Sequence, residues 1–512
     1  MQRQARVLAL LAVAVSALVV TQAVPSATPT DSAALRDAVT VEGIMEHQRA
    51  FQAIADVNDD TRAAATSGYD DSLDYVRSQL DPSYFTITEQ EFEFPYFEEL
   101  TTPVFDRVSP TQFDYVVEDD FFTMDYSGSG DVTGAVVATN DIILDPGPVA
   151  STSNSGCEAS DFVPASETED QVALIQRGTC DFVVKAQNAE AAGYDAVIIF
   201  NEGTEGQEDR ITTLFGTLGG PGVTIPVIGT SYAVGEELYE LTLAGQVVVH
   251  IATETLSEIR TTSNLIAETK TGRTDRVVVV GAHLDSVPAG PGINDNGSGS
   301  STILEIAQEM AELGIEPVNQ VRFAWWGAEE AGLYGSQYYV DQLSKSEVKD
   351  IAVNLNFDMV GSPNYVRFVY DGDASDTDSL GSSGSGAVED VFLDYFELVE
   401  LPVEPTAFDG RSDYDAFISV GIPAGGLFTG AEEIKTAGEA EIYGGTAGLA
   451  YDPCYHQACD TIDNLSQDAL DEMSDAAAHA TLVFAMTTSA VQGTDKGKAL
   501  GHGKFKGSSL RK

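Results

Sequence analysis

The sequence predicts an α/β protein: a mostly parallel central sheet flanked by helices, with a smaller α/β unit inserted into it. Three observations carry this reading. Residues 277–280 are four consecutive valines, a β-branched run suited to a parallel strand covered on both faces. Two more apolar runs, 321–326 and 351–357, follow it, the first after a segment with helical spacing at Ile303, Ile306, Ala307 and Met310. Between about residues 126 and 255 the texture shifts to Gly, Ser, Thr and short β runs, and the α/β pattern resumes at Ser263.

In chain order, Arg3 and Arg6 precede an apolar run over 7–20 and then small residues, so residues 1–23 are expected to be a secretory signal peptide. Residues 24–32 are a candidate propeptide. Leu35, Val39, Ile44, Phe51 and Ile54 follow a helical period, whereas Phe85, Ile87, Phe92 and Phe94 alternate as in a strand. Segments 172–176, 183–192 and 196–200 form a strand-helix-strand unit, and 224–229 adds a strand. The expected division is a main domain split into 33–125 and 256–490, an inserted domain over 126–255, and a basic, flexible tail over 491–512.

Composition narrows the class of function. Asp and Glu number 81 against 26 Lys and Arg, a net charge of −55 spread along the chain, which excludes nucleic acid as a natural partner. No segment after the signal is apolar for long enough to span a bilayer. An exported chain with four cysteines is expected to form disulfides. Proximity favours Cys157 with Cys180 and Cys454 with Cys459, one of three connectivities.

The chemistry lies at the ends of the apolar runs. His283 follows the valine strand, Asp295 precedes the next helix, Glu329 and Glu330 follow 321–326, and Asp358 follows 351–357. Open α/β sheets bind ligands beyond the carboxyl ends of their strands. His456 sits between Cys454 and Cys459, in a loop that a bridge would stiffen. Imidazole and carboxylate donors suit zinc. If one carboxylate is shared between two metals, five ligands give each metal three and leave an open position for water. A further carboxylate beside them would serve as general base.

The segments AHLDSVPAGPGINDNGSG, WWGAEEAGLYGS, NFDMVGSPNYV, FDGRSDYDAF, GLFTGAE and YDPCYHQACDT together resemble the secreted two-zinc aminopeptidases of bacteria and fungi, the leucyl aminopeptidase and aminopeptidase Y type. The middle segment, with Gln176-Arg-Gly-Thr-Cys-Asp-Phe, resembles the protease-associated (PA) domain inserted in many of them. The resemblance implies a zinc exopeptidase-like fold. It also implies that His283 and Asp358 hold one zinc, Glu330 and His456 the other, and Asp295 bridges them. Glu329 would be the base toward a metal-bridging water, and Tyr455 would steady the oxyanion. Glu329 and Asp358 would surround the substrate ammonium with Arg411 nearby, and Met359, Phe428 and Tyr455 would line a pocket for a large apolar residue such as leucine. Asp471 and Asp475 are a candidate calcium pair.

The expected protein is therefore a secreted, monomeric zinc aminopeptidase acting on peptides with a free amino terminus. The alternatives are a carboxypeptidase or glutaminyl cyclase on the same scaffold, or a receptor-type homologue without catalysis.

Overall fold

The computed structural model describes residues 30–488 and Val491. The expected signal peptide, residues 24–29 of the candidate propeptide and the tail beyond Val491 lie outside the described residues. Among the described residues, no helix is long and apolar enough to cross a membrane.

The described residues open with three helices, α1 (Ala33–Arg36), α2 (Val41–Ala55) and α3 (Ser67–Gln79). Thr40 and Thr66 cap α2 and α3, their side chains accepting from the N–H of Gly43 and Tyr69 and so satisfying donors that a helix start leaves open. Ile44 and Phe51 of α2 then point into the main core. The long strand β1 (Phe85–Glu99) follows.

A second sheet interrupts the first. It contains β2 (Val104–Ser109), β3 (Phe113–Asp114), β4 (Phe121–Thr123), β5 (Gly130–Ala138), β6 (Gln171–Gln176), β7 (Ala196–Phe200), β8 (Val227–Thr230) and β9 (Val248–Thr253), in the order β3-β2-β9-β5-β6-β7-β8-β4. β5 to β8 are parallel, and α4 (Phe182–Ala191) and α5 (Tyr232–Ala244) pack on them. β7 is buried at every position, as its unbroken apolar sequence requires. This sheet recruits chain from Val104 onward, ahead of residue 126 where the sequence texture changes. The reason is that β2 buries only Phe105 and Arg107 among more exposed neighbours, so its composition matches that of the half-buried β1.

β10 (Thr255–Thr269) brings the chain back along β1, antiparallel throughout, from Phe85 opposite Thr269 to Glu99 opposite Thr255. The main sheet continues with β11 (Arg273–His283), β12 (Asn319–Trp326), β13 (Ile351–Phe357), β14 (Phe368–Tyr370), β15 (Glu404–Thr406) and β16 (Ala424–Phe428). Its order is β1-β10-β12-β11-β13-β16-β14-β15, and the four strands β12, β11, β13 and β16 are parallel. Helices α6 (Gly297–Glu312), α7 (Tyr334–Gln342), α8 (Lys345–Asp350), α9 (Ser385–Leu398), α10 (Tyr414–Ser419), α11 (Ala437–Tyr443) and α12 (Gln467–Met486) complete the domain. The valine run shows why the sheet is sandwiched. Val278 and Val280 join the core that holds α6, α9 and α12, while Val277 and Val279 join the one that holds α7 and α10, because successive strand residues face opposite sides.

Candidate active site

The parallel strands bring their carboxyl ends to one edge, and the polar residues gather there. His283 ends β11 opposite Trp326, the last residue of β12. Glu329 and Glu330 lie just beyond β12, and Asp358 just beyond β13. Asp295 and its neighbour Asn296, joined by a cis peptide, stand at the start of α6. The Asn296 side chain caps α6 by accepting from Gly299 N, accepts from Met359 N and donates to Phe357 O. One amide, fully buried, thus ties the Asp295 loop to the end of β13. Gly299 has to be glycine, since a Cβ there would fall 2.1 Å from Phe357 O.

The five expected ligands converge as two groups that share Asp295. Asp295 Oδ1 and Asp358 Oδ1 each lie 3.3 Å from His283 Nε2. The other oxygen, Asp295 Oδ2, lies 3.3 Å from His456 Nε2, which is 3.0 Å from Glu330 Oε2. Donors bound tetrahedrally to one zinc at 2.0–2.2 Å stand about 3.4 Å apart, so both groups have the spacing of a zinc ligand set. Asp358 Oδ1 is buried and accepts no hydrogen bond, as suits an oxygen facing a cation.

The electrostatics agree with the donor chemistry. Burial opposes a charge on either imidazole, yet the facing acids push both toward holding a proton, Glu329 and Asp358 for His283 and Glu330 for His456, the latter up to about 10. Burial likewise works against ionised Asp295, but the hydrogen bonds from His283 and His456 hold it well below the usual carboxylate range. Such a cluster of acceptors calls for positive charge, which zinc would supply. Glu329 lies beside it, Oε2 3.9 Å from His283 Nε2. Burial first, then Asp413, Asp358 and Glu330, raise its carboxyl well above the ordinary value.

Tyr455 and His456 sit in the loop closed by the Cys454–Cys459 disulfide, and Cys157 pairs with Cys180. The Tyr455 ring stacks on His456 at 3.8 Å, and its hydroxyl accepts from Arg411 at 3.2 Å. Arg411 also pairs with Glu432 at 2.9 Å and Glu433 at 3.6 Å. A solvent-open cleft lies over these groups, with Met359, Phe428 and Tyr370 among its lining residues. Ala328, Met359 and His456 all adopt left-handed backbone, at φ 56°, 52° and 56°. Met359 and Ala328 adjoin Asp358 and Glu329, and His456 is itself one of the expected ligands, so strain of about 1–3 kcal/mol is held at the site by the surrounding packing. The candidate calcium pair stands apart, with Asp475 held by Arg36 and Tyr395, each at 3.2 Å.

Several supporting residues escaped the sequence reading. Arg62, fully buried, donates to the carbonyls of Leu284, Pro291 and Gly292 at 2.5, 2.7 and 2.6 Å and so clamps the loop between His283 and Asp295. Ser412 donates to Asp358 Oδ2 at 2.5 Å and accepts from Asn356. Asp285 accepts the N–H groups of Glu329 and Glu330, and Asp460 those of Asn294 and Asp295. Asp285 and Asp460 lie inside recognised motifs, whereas nothing local marks Arg62.

Comparison with known proteins gives the same picture. Residues 264–481 match peptidase family M28, and residues 130–238 match the PA domain. The chain is 45% identical to an aminopeptidase of Pseudomonas aeruginosa, over 88% of this chain and 81% of that one. It is 45% identical to leucine aminopeptidase 2 of Trichophyton equinum, over 62% of each chain. Among solved structures, the zinc aminopeptidase BSAP of Bacillus subtilis superposes with a TM-score of 0.54 at 26% identity, covering 86% of this chain and 94% of that one.

Proposed function

The chain belongs to peptidase family M28 and is a zinc metallo-aminopeptidase with a PA domain, and from that premise we propose that it is exported and removes large apolar amino-terminal residues, leucine foremost, from peptides. His283 and Asp358 would hold one zinc, Glu330 and His456 a second, and Asp295 would serve both. The observation that supports this best is that the two oxygens of Asp295 face two separate histidines.

When bound, zinc supplies Lewis acidity toward water and the scissile carbonyl. The remaining work falls to side chains. Glu329, whose burial raises its proton affinity, takes the proton of the attacking water and passes it to the departing amine. The Tyr455 hydroxyl donates to the oxygen on which charge develops. Glu329 and Asp358 face the substrate ammonium, while Met359 and Phe428 receive its side chain. Arg411, already paired with two acids, offers no free cation for a substrate carboxylate, which favours the amino end over the carboxyl end. The fungal relative named for leucine supports the side-chain preference.

The test is release of leucine from a leucyl peptide beside its N-acetylated twin, before and after chelation. The expected outcome is cleavage of the free amine alone, lost on chelation and restored by zinc, with two zinc ions per chain by elemental analysis. Equal cleavage of the acetylated peptide would remove the ammonium site.

A further inference from the structure

The ligand-bearing edge has a cavity on each side. The cleft described above lies toward β16, β14 and β15, where Phe428 and Thr406 line it. A second, solvent-open cavity lies toward β1, the opposite edge of the sheet, and Glu330 borders both. Its walls are Phe94, Tyr96 and Phe97 of β1, Tyr126 from the chain after β4, Pro288 from the loop between His283 and Asp295, and Ala331. The candidate zinc ligands at the ends of β12, β11 and β13 therefore stand between the two.

We propose that this second cavity receives the side chain that follows the scissile bond, and that it selects an apolar or aromatic one. The proposal rests on the aminopeptidase reading. A peptide whose ammonium lies by Glu329 and Asp358 in the first cleft, and whose scissile bond lies over the ligands, has to leave toward β1, because the first cleft already holds its amino-terminal residue. The walls are formed in advance. The Tyr126 hydroxyl donates to Pro95 O at 3.1 Å, and its ring lies 5.7 Å from that of Phe97, so the inserted segment and β1 hold one aromatic surface together. Apolar walls favour burial of an apolar group. Asp125 and Asp285, which also line the cavity, disfavour an acidic one by like-charge repulsion. The inserted domain thereby acquires a role in choosing substrates.

The experiment compares kcat/KM for Leu-Phe-Ala, Leu-Ala-Ala, Leu-Asp-Ala and leucine amide on the full, zinc-loaded enzyme. The expected order is Phe above Ala above Asp, with Phe over Ala by about tenfold, the scale of burying one or two methylene-sized groups. Phe97→Ala should bring the Phe-to-Ala ratio below about threefold and Phe97→Leu should largely keep it. The ratio within one enzyme is the reading, so partial loss of folded protein does not move it. A flat ratio in the native enzyme, or one unchanged in Phe97→Ala, overturns the proposal while leucine amide turnover still supports the aminopeptidase reading. No turnover of leucine amide sinks that reading, and the proposal with it.

Discussion

In the inserted sheet Gln176 ends β6 and Asn201 follows β7, as His283 ends β11 and Asp358 follows β13 in the main sheet. The Gln176 amide donates to the carbonyls of Ile143 and Glu202 and accepts from Ile143 N. Asn201 donates to Asp209 O and Thr212 O and accepts from Glu202 N. Both are satisfied internally, since a side-chain amide carries donor and acceptor together. At the main edge the carboxylates only accept, and they face one another and two histidines. Position at a strand end therefore does not by itself make a site; a surplus of acceptors over donors does.

The sharpest way to break this contrast is Glu329→Gln, which keeps the shape and removes the base. The expected loss in kcat is about 10²- to 10⁴-fold, with zinc content by elemental analysis unchanged; near-normal turnover would remove Glu329 from the chemistry. Asn201→Ala should do the reverse. It leaves Thr212 O without its donor and Glu202 N without its acceptor, though Asp209 O keeps Arg177, lowering stability by about 1–3 kcal/mol in denaturant titration, while kcat/KM for leucine amide stays within about twofold. If activity fell with stability intact, the inserted strand ends would have a functional part after all.

A smaller effect separates the regions by pH. Lys185 on α4 is fully buried and donates to Ser155 O, and burial, only partly opposed by Asp161, lowers its ammonium to about 8. Between about pH 8 and 10 the unfolded chain, where lysine titrates near 10.4, holds more protons than the folded one, so stability from this group rises with pH. It is lost as pH falls across that window and levels off below about 8. Melting temperatures over that window should climb in the native protein and climb less in Lys185→Met; parallel curves would exclude Lys185 as their source.

Much of this was legible in the chain. Four buried valines can hardly be other than a covered parallel strand, and polar residues after such strands stand out against the apolar run, which is how His283, Glu329, Glu330 and Asp358 declared themselves. His456 was marked by its flanking cysteines. Arg62, Ser412 and the second cavity were not legible, because each depends on segments brought together from distant parts of the sequence, and Arg62 meets its three carbonyls only once α2 and α3 have docked. β2 to β4 escaped for another reason: short, half-buried strands have no composition of their own.

The pairing of β1 with β10 from end to end sets Glu99 beside Thr255. Topologically, residues 100–254 are then the loop of a single hairpin. The two strands can zip only when their far-apart partners meet, and a loose loop of that length makes the encounter entropically costly. Once the intervening sheet has condensed, its two ends already lie side by side and the hairpin closes almost as a local event. Chain entropy thereby favours a guest domain that forms ahead of the edge of its host.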